Sequence, residues 1–167
     1  MPRKHLIANL VIGNYFLIPT DIENKVIISD IYYDLLRDDS TAISKKKSYL
    51  LWEHQLVLKE YNHYDVNNIS KGAIIAGLKF LNAKAKLETT FLACYDGISQ
   101  TSALAFIYLV ANNIIPPLSF EKAITHFLTN HYALMKINQG IYDFLKLHYP
   151  YTKLNTLAQQ KWEHLHG

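Results

Sequence analysis

Apolar residues along the chain fall into short β-branched runs, separated by longer stretches in which they recur every three or four positions. His5 to Gly13 predicts a strand that ends at a glycine turn. Lys25 to Ile31 (K-V-I-I-S-D-I) is compact and β-branched, the composition of a strand buried on both faces. Asp34 to Lys47 is polar and charged and predicts a loop with a helical turn, whereas Gln55 to Tyr61 alternates apolar and polar and predicts a strand. Ser70 stands where an N-cap belongs, followed by Ile74, Ile75, Leu78, Phe80 and Leu81 at helical spacing through Ala83. Thr89 to Ala93 is a compact buried strand that runs into Cys94-Tyr95-Asp96-Gly97-Ile98-Ser99 and then an apolar helix over Thr101 to Asn112. Pro116 and Pro117 break the chain, Ser119 caps a helix through Leu128, and another helix covers Gly140 to His148. The tail beyond Pro150, with Leu154, Leu157 and Trp162, predicts one more helix.

Strands that alternate with helices in this way predict an α/β layer fold with a largely parallel sheet. Chemistry in such sheets sits at the carboxyl ends of the strands, so the loop after Thr89–Ala93 is the first place to look. The length of 167 residues and the absence of any linker, repeat or low-complexity tract predict one domain over residues 1–150 and a helical tail over 151–167.

Composition narrows the function classes. Half the residues are hydrophobic and 19% are charged, a globular balance. The net charge of +3 and the single basic run Lys45-Lys46-Lys47 fall short of a nucleic-acid footprint. Asn112 and Asn113 interrupt the longest apolar stretch, so no membrane span is expected. Cys94 is the one cysteine, no signal-peptide core follows Met1, and a reducing, cytoplasmic location is the expectation. His126 with His131, and His164 with His166, lack the spacing and carboxylate of a helical zinc motif, so neither a metal nor a cofactor is expected. The chain has 15 lysines but only two arginines, Arg3 and Arg37, and its 12 tyrosines can serve a core or a binding surface.

A strand, a tight glycine-containing loop and a helix start make an anion-binding device, because backbone N–H groups and the positive helix end face one point. A cysteine at the end of that strand lies under the same field, which favours thiolate and activates the nucleophile. An isolated cysteine reads as a buried core thiol; the spacing around Cys94 favours the nucleophile.

Cys94-Tyr95-Asp96-Gly97-Ile98-Ser99-Gln100-Thr101 resembles the signature loop of the cysteine-based dual-specificity protein phosphatases: Cys, two variable residues, Gly, one variable residue, Ser, Arg, then Ser or Thr. Leu10-Val11-Ile12-Gly13 resembles the family's opening strand, and Ile69-Ser70 stands where its helix opens. Ala105-Phe106-Ile107-Tyr108-Leu109-Val110 resembles its central helix, and Ile137-Asn138-Gln139-Gly140 with Phe144-Leu145 its closing helix. The resemblance covers His5 to His148. It implies the three-layer fold of protein tyrosine phosphatases and a phosphate monoester, carried by a phosphorylated protein or another phosphate or sulfate anion, as the ligand. Cys94 would be the nucleophile, the N–H groups of Tyr95, Asp96, Gly97, Ile98, Ser99 and Gln100 the phosphate cradle, and Thr101 the hydroxyl that assists the departing thiolate.

Two positions depart from the pattern. Gln100 replaces the family's arginine, which binds two phosphate oxygens and carries a full charge. Lys71 is a candidate partial replacement. The general acid is the second departure. Counting back from Ser70 places His63 where the family has aspartate, with Asp65 two residues on; either is a candidate acid, or both are ordinary loop residues. The resemblance with these departures implies a pseudophosphatase or very weak phosphatase that keeps its anion-binding loop. An active cysteine-dependent phosphatase with a substitute cation and acid, and a non-catalytic interaction module, remain the alternatives.

Overall fold

The computed structural model describes residues 3–36, 48–61 and 68–162. Within them, one six-stranded sheet is built from β1 (Lys4–His5), β2 (Leu10–Asn14), β3 (Asn24–Ile28), β4 (Tyr49–Trp52), β5 (Gln55–Leu58) and β6 (Thr90–Cys94), in the order β1-β2-β6-β3-β5-β4. The inner strands β2, β6, β3 and β5 are parallel, and the edge strands β1 and β4 are antiparallel to their neighbours. The helices are α1 (Asp30–Leu36), α2 (Asn68–Lys84), α3 (Gln100–Ala111), α4 (Phe120–Asn130), α5 (Gln139–His148) and α6 (Thr152–Leu157). This is the mostly parallel sheet flanked by helices that the pattern predicts. Among the described residues no helix is long and apolar enough to cross a membrane.

Strand parity decides where the chemistry can lie, because successive side chains of a strand point to opposite faces. Leu10 and Ile12 of β2, and Leu92 and Cys94 of β6, join the large core formed with the helices. Val11, Phe91 and Ala93 face a smaller cluster with Tyr15, Ile22 and Ile27. The sulfur of Cys94 is therefore delivered to the face covered by α3, opposite Asn14 in register. Helix α3 is buried along its length from Gln100 to Val110. Phe106 at its centre meets the rings of Phe120, Phe127 and Tyr151 at centroid distances of 6.4, 5.5 and 5.9 Å. Burying one such ring contributes roughly 1.5–3 kcal/mol, so the helix behind the loop is a rigid support.

Several boundaries differ from the sequence reading, each for a local reason. The run His5 to Gly13 is two strands, because Ala8 and Asn9 both take φ 62 and reverse the chain. Asn9 suits that conformation, and its side chain donates to Ala85 O at 3.0 Å. β3 stops at Ile28 because the Ser29 hydroxyl accepts from the N–H groups of Ile31 (3.1 Å) and Tyr32 (3.4 Å), which starts α1 in what reads as strand and loop. β4 has no sequence prediction. α2 opens at Asn68, so Ser70 lies within its first turn. Ser119 does cap α4, accepting from Lys122 N–H at 3.3 Å. The tail packs against α2: Asn82 Nδ2 donates to Asn155 Oδ1 at 2.8 Å, Lys79 Nζ donates to the Ala158 and Gln160 carbonyls, and Leu154 is buried.

The turn after β6 is pressed against the end of β2. Gly97 adopts φ +71, and a Cβ there would stand 2.9 Å from Gly13 C and 3.0 Å from Gly13 O. Those are backbone atoms of a sheet strand and cannot step aside. Gly97→Ala is expected to destabilise the chain by about 1–3 kcal/mol from the backbone conformation alone. A urea unfolding midpoint equal to that of the native chain would show that the turn is not held against β2.

Candidate functional site

The Cys94 loop is fixed from outside through its carbonyl groups. Tyr132 donates its hydroxyl to Gly97 O at 2.9 Å, and Lys136 N–H donates to Ile98 O at 2.7 Å. Ser102 Oγ donates to Ile98 O at 2.6 Å, with Ser99 O 2.9 Å away, and Ala103 N–H donates to Ser99 O at 3.0 Å. The Tyr61 hydroxyl donates to Gln100 O at 2.7 Å. With these carbonyls tied to the scaffold, the N–H groups of Ile98 and Ser99 turn together to one side, the arrangement of a nest.

Within that nest lies a carboxylate of the chain itself. Asp96 Oδ1 accepts from Ile98 N–H (2.9 Å), Ser99 N–H (3.1 Å) and Ser99 Oγ (2.9 Å), and Ser99 Oγ also lies 3.0 Å from Oδ2. The Cys94 thiol donates to the same Oδ1 at 3.3 Å. Burial works against the charge of Asp96, but these bonds outweigh it and hold the carboxyl below its usual range.

Cys94 is fully buried, and its sulfur lies 3.5 Å from Thr101 Oγ1. Burial pushes the thiol above its ordinary value, and the neighbouring Asp96 adds to the effect; hydrogen bonds from the Thr101 hydroxyl and N–H oppose both without prevailing. The thiolate expected from the helix start is thus not the favoured form in this arrangement.

Gln100 is 2% exposed and its amide nitrogen donates to Glu60 Oε1 at 3.2 Å, away from the sulfur. The position that would carry a cation carries a neutral amide paired to a carboxylate. Arg3 offers no substitute, since it forms a two-pronged pair with Asp21 at 2.9 and 3.1 Å. Lys71 lines a hollow with Leu147, His148, Tyr149 and Lys153, and its charge helps to hold the His148 imidazole below its usual value, after burial. Arg37, His63 and Asp65 lie outside the described residues.

The structure thus brings together Cys94, Thr101 and the turn from Tyr95 to Gln100. It adds Glu60, Tyr61 and Tyr132, which the sequence reading did not single out. Glu60 follows a parallel strand as Cys94 does, so the rule that chemistry lies at carboxyl ends of strands would have found it. Tyr132 carries no sequence signal; its role comes from the fold. Around the mouth, Tyr15, Phe16, Tyr32 and Tyr95 form a cluster of rings 4.7–5.9 Å apart, with Phe16 and Tyr95 exposed.

No protein-family model matches the chain, and no curated protein sequence matches it. Solved structures do. The crystal structure of DUSP15 matches with a TM-score of 0.62 at 12% identity, over 96% of each chain. PTPMT1 in complex with PI(5)P matches with a TM-score of 0.57 at 14% identity, over 93% of this chain and 96% of that one. The human tyrosine phosphatase-like serine/threonine/tyrosine-interacting protein matches at 0.58 and 12% identity, over 87% and 94%. Together with the sheet order and the loop at the end of β6, these matches show that the chain has the fold of the dual-specificity and protein tyrosine phosphatases.

Proposed function

We propose that the chain is a phosphatase-like protein whose Cys94 loop binds a phosphate-bearing ligand and hydrolyses it very weakly or not at all. The observation that carries this reading is Gln100, buried and paired to Glu60 where a phosphate-binding cation would be required. The ligand class is a phosphorylated protein or another phosphate or sulfate anion, and the setting a reducing, cytoplasmic one. Residues 1–150 form the phosphatase-like unit, with the tail docked on α2.

The chemistry sets out what is missing. For a phosphate monoester, the Cys94 thiol would first lose its proton to solvent; the thiolate would then attack phosphorus, the S–P bond forming as the P–O ester bond breaks and the leaving oxygen takes a proton from an acid. His63 and Asp65 are the candidates for that acid. Water would then attack the phosphocysteine; the S–P bond breaks, inorganic phosphate leaves, and Thr101 Oγ1 donates to the departing thiolate. Both steps pass a phosphoryl group with charge on its equatorial oxygens, which a guanidinium meets and a glutamine amide does not. Loss of even a neutral oxyanion donor lowers rates roughly 10²–10³-fold. The raised thiol of Cys94 slows the first step further.

The contact between Cys94 and Thr101 favours one second reading, an active phosphatase with a substitute cation. Hydrolysis of a small aryl phosphate by the native chain, Cys94→Ser and Gln100→Arg separates the two. Glu60 is already placed to hold a guanidinium at position 100. Gln100→Arg is expected to raise Cys94-dependent turnover at least about 100-fold over a native chain near background. Native turnover that Cys94→Ser abolishes, at a rate Gln100→Arg does not improve, would overturn the proposal.

The thiol gives a second test. A raised Cys94 keeps its proton at neutral pH, so alkylation by iodoacetamide should be slow there and continue to accelerate with pH beyond about 8.5, the ordinary cysteine value. A rate that levels off below neutral pH would show an activated thiolate instead.

A further inference from the structure

We propose that Asp96 is a tethered occupant of the anion cradle: its carboxylate fills the Cys94 loop in the resting chain, and an incoming phosphate must displace it. This rests on the reading of the loop as an anion site, and it concerns how that site is regulated.

The geometry is that of a bound oxyanion. One oxygen, Oδ1, gathers the Ile98 and Ser99 N–H groups and the Ser99 hydroxyl, all within 3.1 Å. The sulfur of Cys94 lies 3.3 Å from the same atom. An aspartate that only shaped the turn would need the two backbone bonds; the bond from the buried nucleophile places the carboxylate inside the site. The carbonyls of the turn are fixed by Tyr132, Lys136, Ser102 and Tyr61, so the loop cannot open to release its N–H groups elsewhere. The side chain of Asp96 is the part that can move, because the residue is only partly buried and follows the exposed Tyr95.

Charge balance favours the same arrangement. A nest of N–H groups at the start of α3 carries partial positive charge, and among the described residues no guanidinium competes for the carboxylate, since position 100 is glutamine and Arg3 is paired to Asp21. Asp96 then acts twice. It takes donors that a phosphate oxygen would need, and it stands as a negative charge beside both the phosphate and the thiol. A ligand enters only by exchanging one anion for another, which lowers affinity for free phosphate and favours ligands with further contacts outside the loop.

Calorimetric titration of inorganic phosphate into the native chain, Asp96→Asn and Asp96→Ala tests this. Asparagine keeps an acceptor oxygen for the turn and removes the charge; alanine removes both. Phosphate is expected to bind Asp96→Asn about tenfold more tightly than the native chain, as loss of a competing charge-assisted contact implies, and Asp96→Ala more tightly still. The pH of half-maximal Cys94 alkylation should fall in both. Should Asp96→Ala fail to fold, Asp96→Asn decides. Equal phosphate affinity in native chain and variants would overturn the tethered occupant while leaving the anion site standing. Folded variants that bind no phosphate at all would overturn the site and the occupant together.

Discussion

The direction of the carbonyls in the turn from Gly97 to Gln100 governs everything else at this site. Each is tied to the scaffold by Tyr132, Lys136, Ser102, Ala103 or Tyr61, and the Ile98 and Ser99 N–H groups converge on Asp96. Buried backbone groups must find partners, so the outward bonds and the inward nest are one arrangement seen from two sides. It persists without a charged residue at position 100, because none of its bonds involves that side chain. On the proposed reading, this is how the loop keeps an anion-binding shape without a cation at position 100.

The electrostatics follow from what fills the nest. On the proposed function, a carboxylate sits where a phosphate oxygen would and an amide paired to Glu60 where a guanidinium would, while burial favours the protonated form of the Cys94 thiol. The features reinforce one another: burial makes the Cys94 thiolate costlier, and the charge of Asp96 adds to that cost. The aromatic rings of Phe16 and Tyr95 at the mouth leave apolar surface beside the loop, where a ligand larger than phosphate would find added contact.

Much of the fold was legible in the sequence. The β-branched runs at 25–31 and 89–93 and the apolar helix after Cys94 mark the centre of the parallel sheet and its support, because burial on both faces leaves an unmistakable composition. The edges were less legible: β4 is short and half exposed, and the reversal at Ala8–Asn9 depends on two residues in a left-handed conformation. At the site, Cys94 and Gly97 could be read from the strand, glycine loop and helix start, and Thr101 from the resemblance of the loop to the phosphatase signature. Tyr61 and Tyr132 could not, since they reach the loop across 39 and 35 positions of chain, whereas Glu60 stands just past the carboxyl end of a parallel strand. Asp96 was visible as a position in the turn, but the direction of its side chain is a property of the folded loop.

On the proposed reading, the turn presents inward N–H groups able to hold an oxyanion without an arginine. A crystal structure of Cys94→Ser grown with tungstate tests it most directly. Tungstate is expected to sit on the N–H groups of the turn, with Asp96 swung outward and the carbonyls still bonded to Tyr132, Lys136 and Tyr61. A turn free of tungstate at millimolar concentration, with its N–H groups rotated away from the position of Sγ, would contradict it.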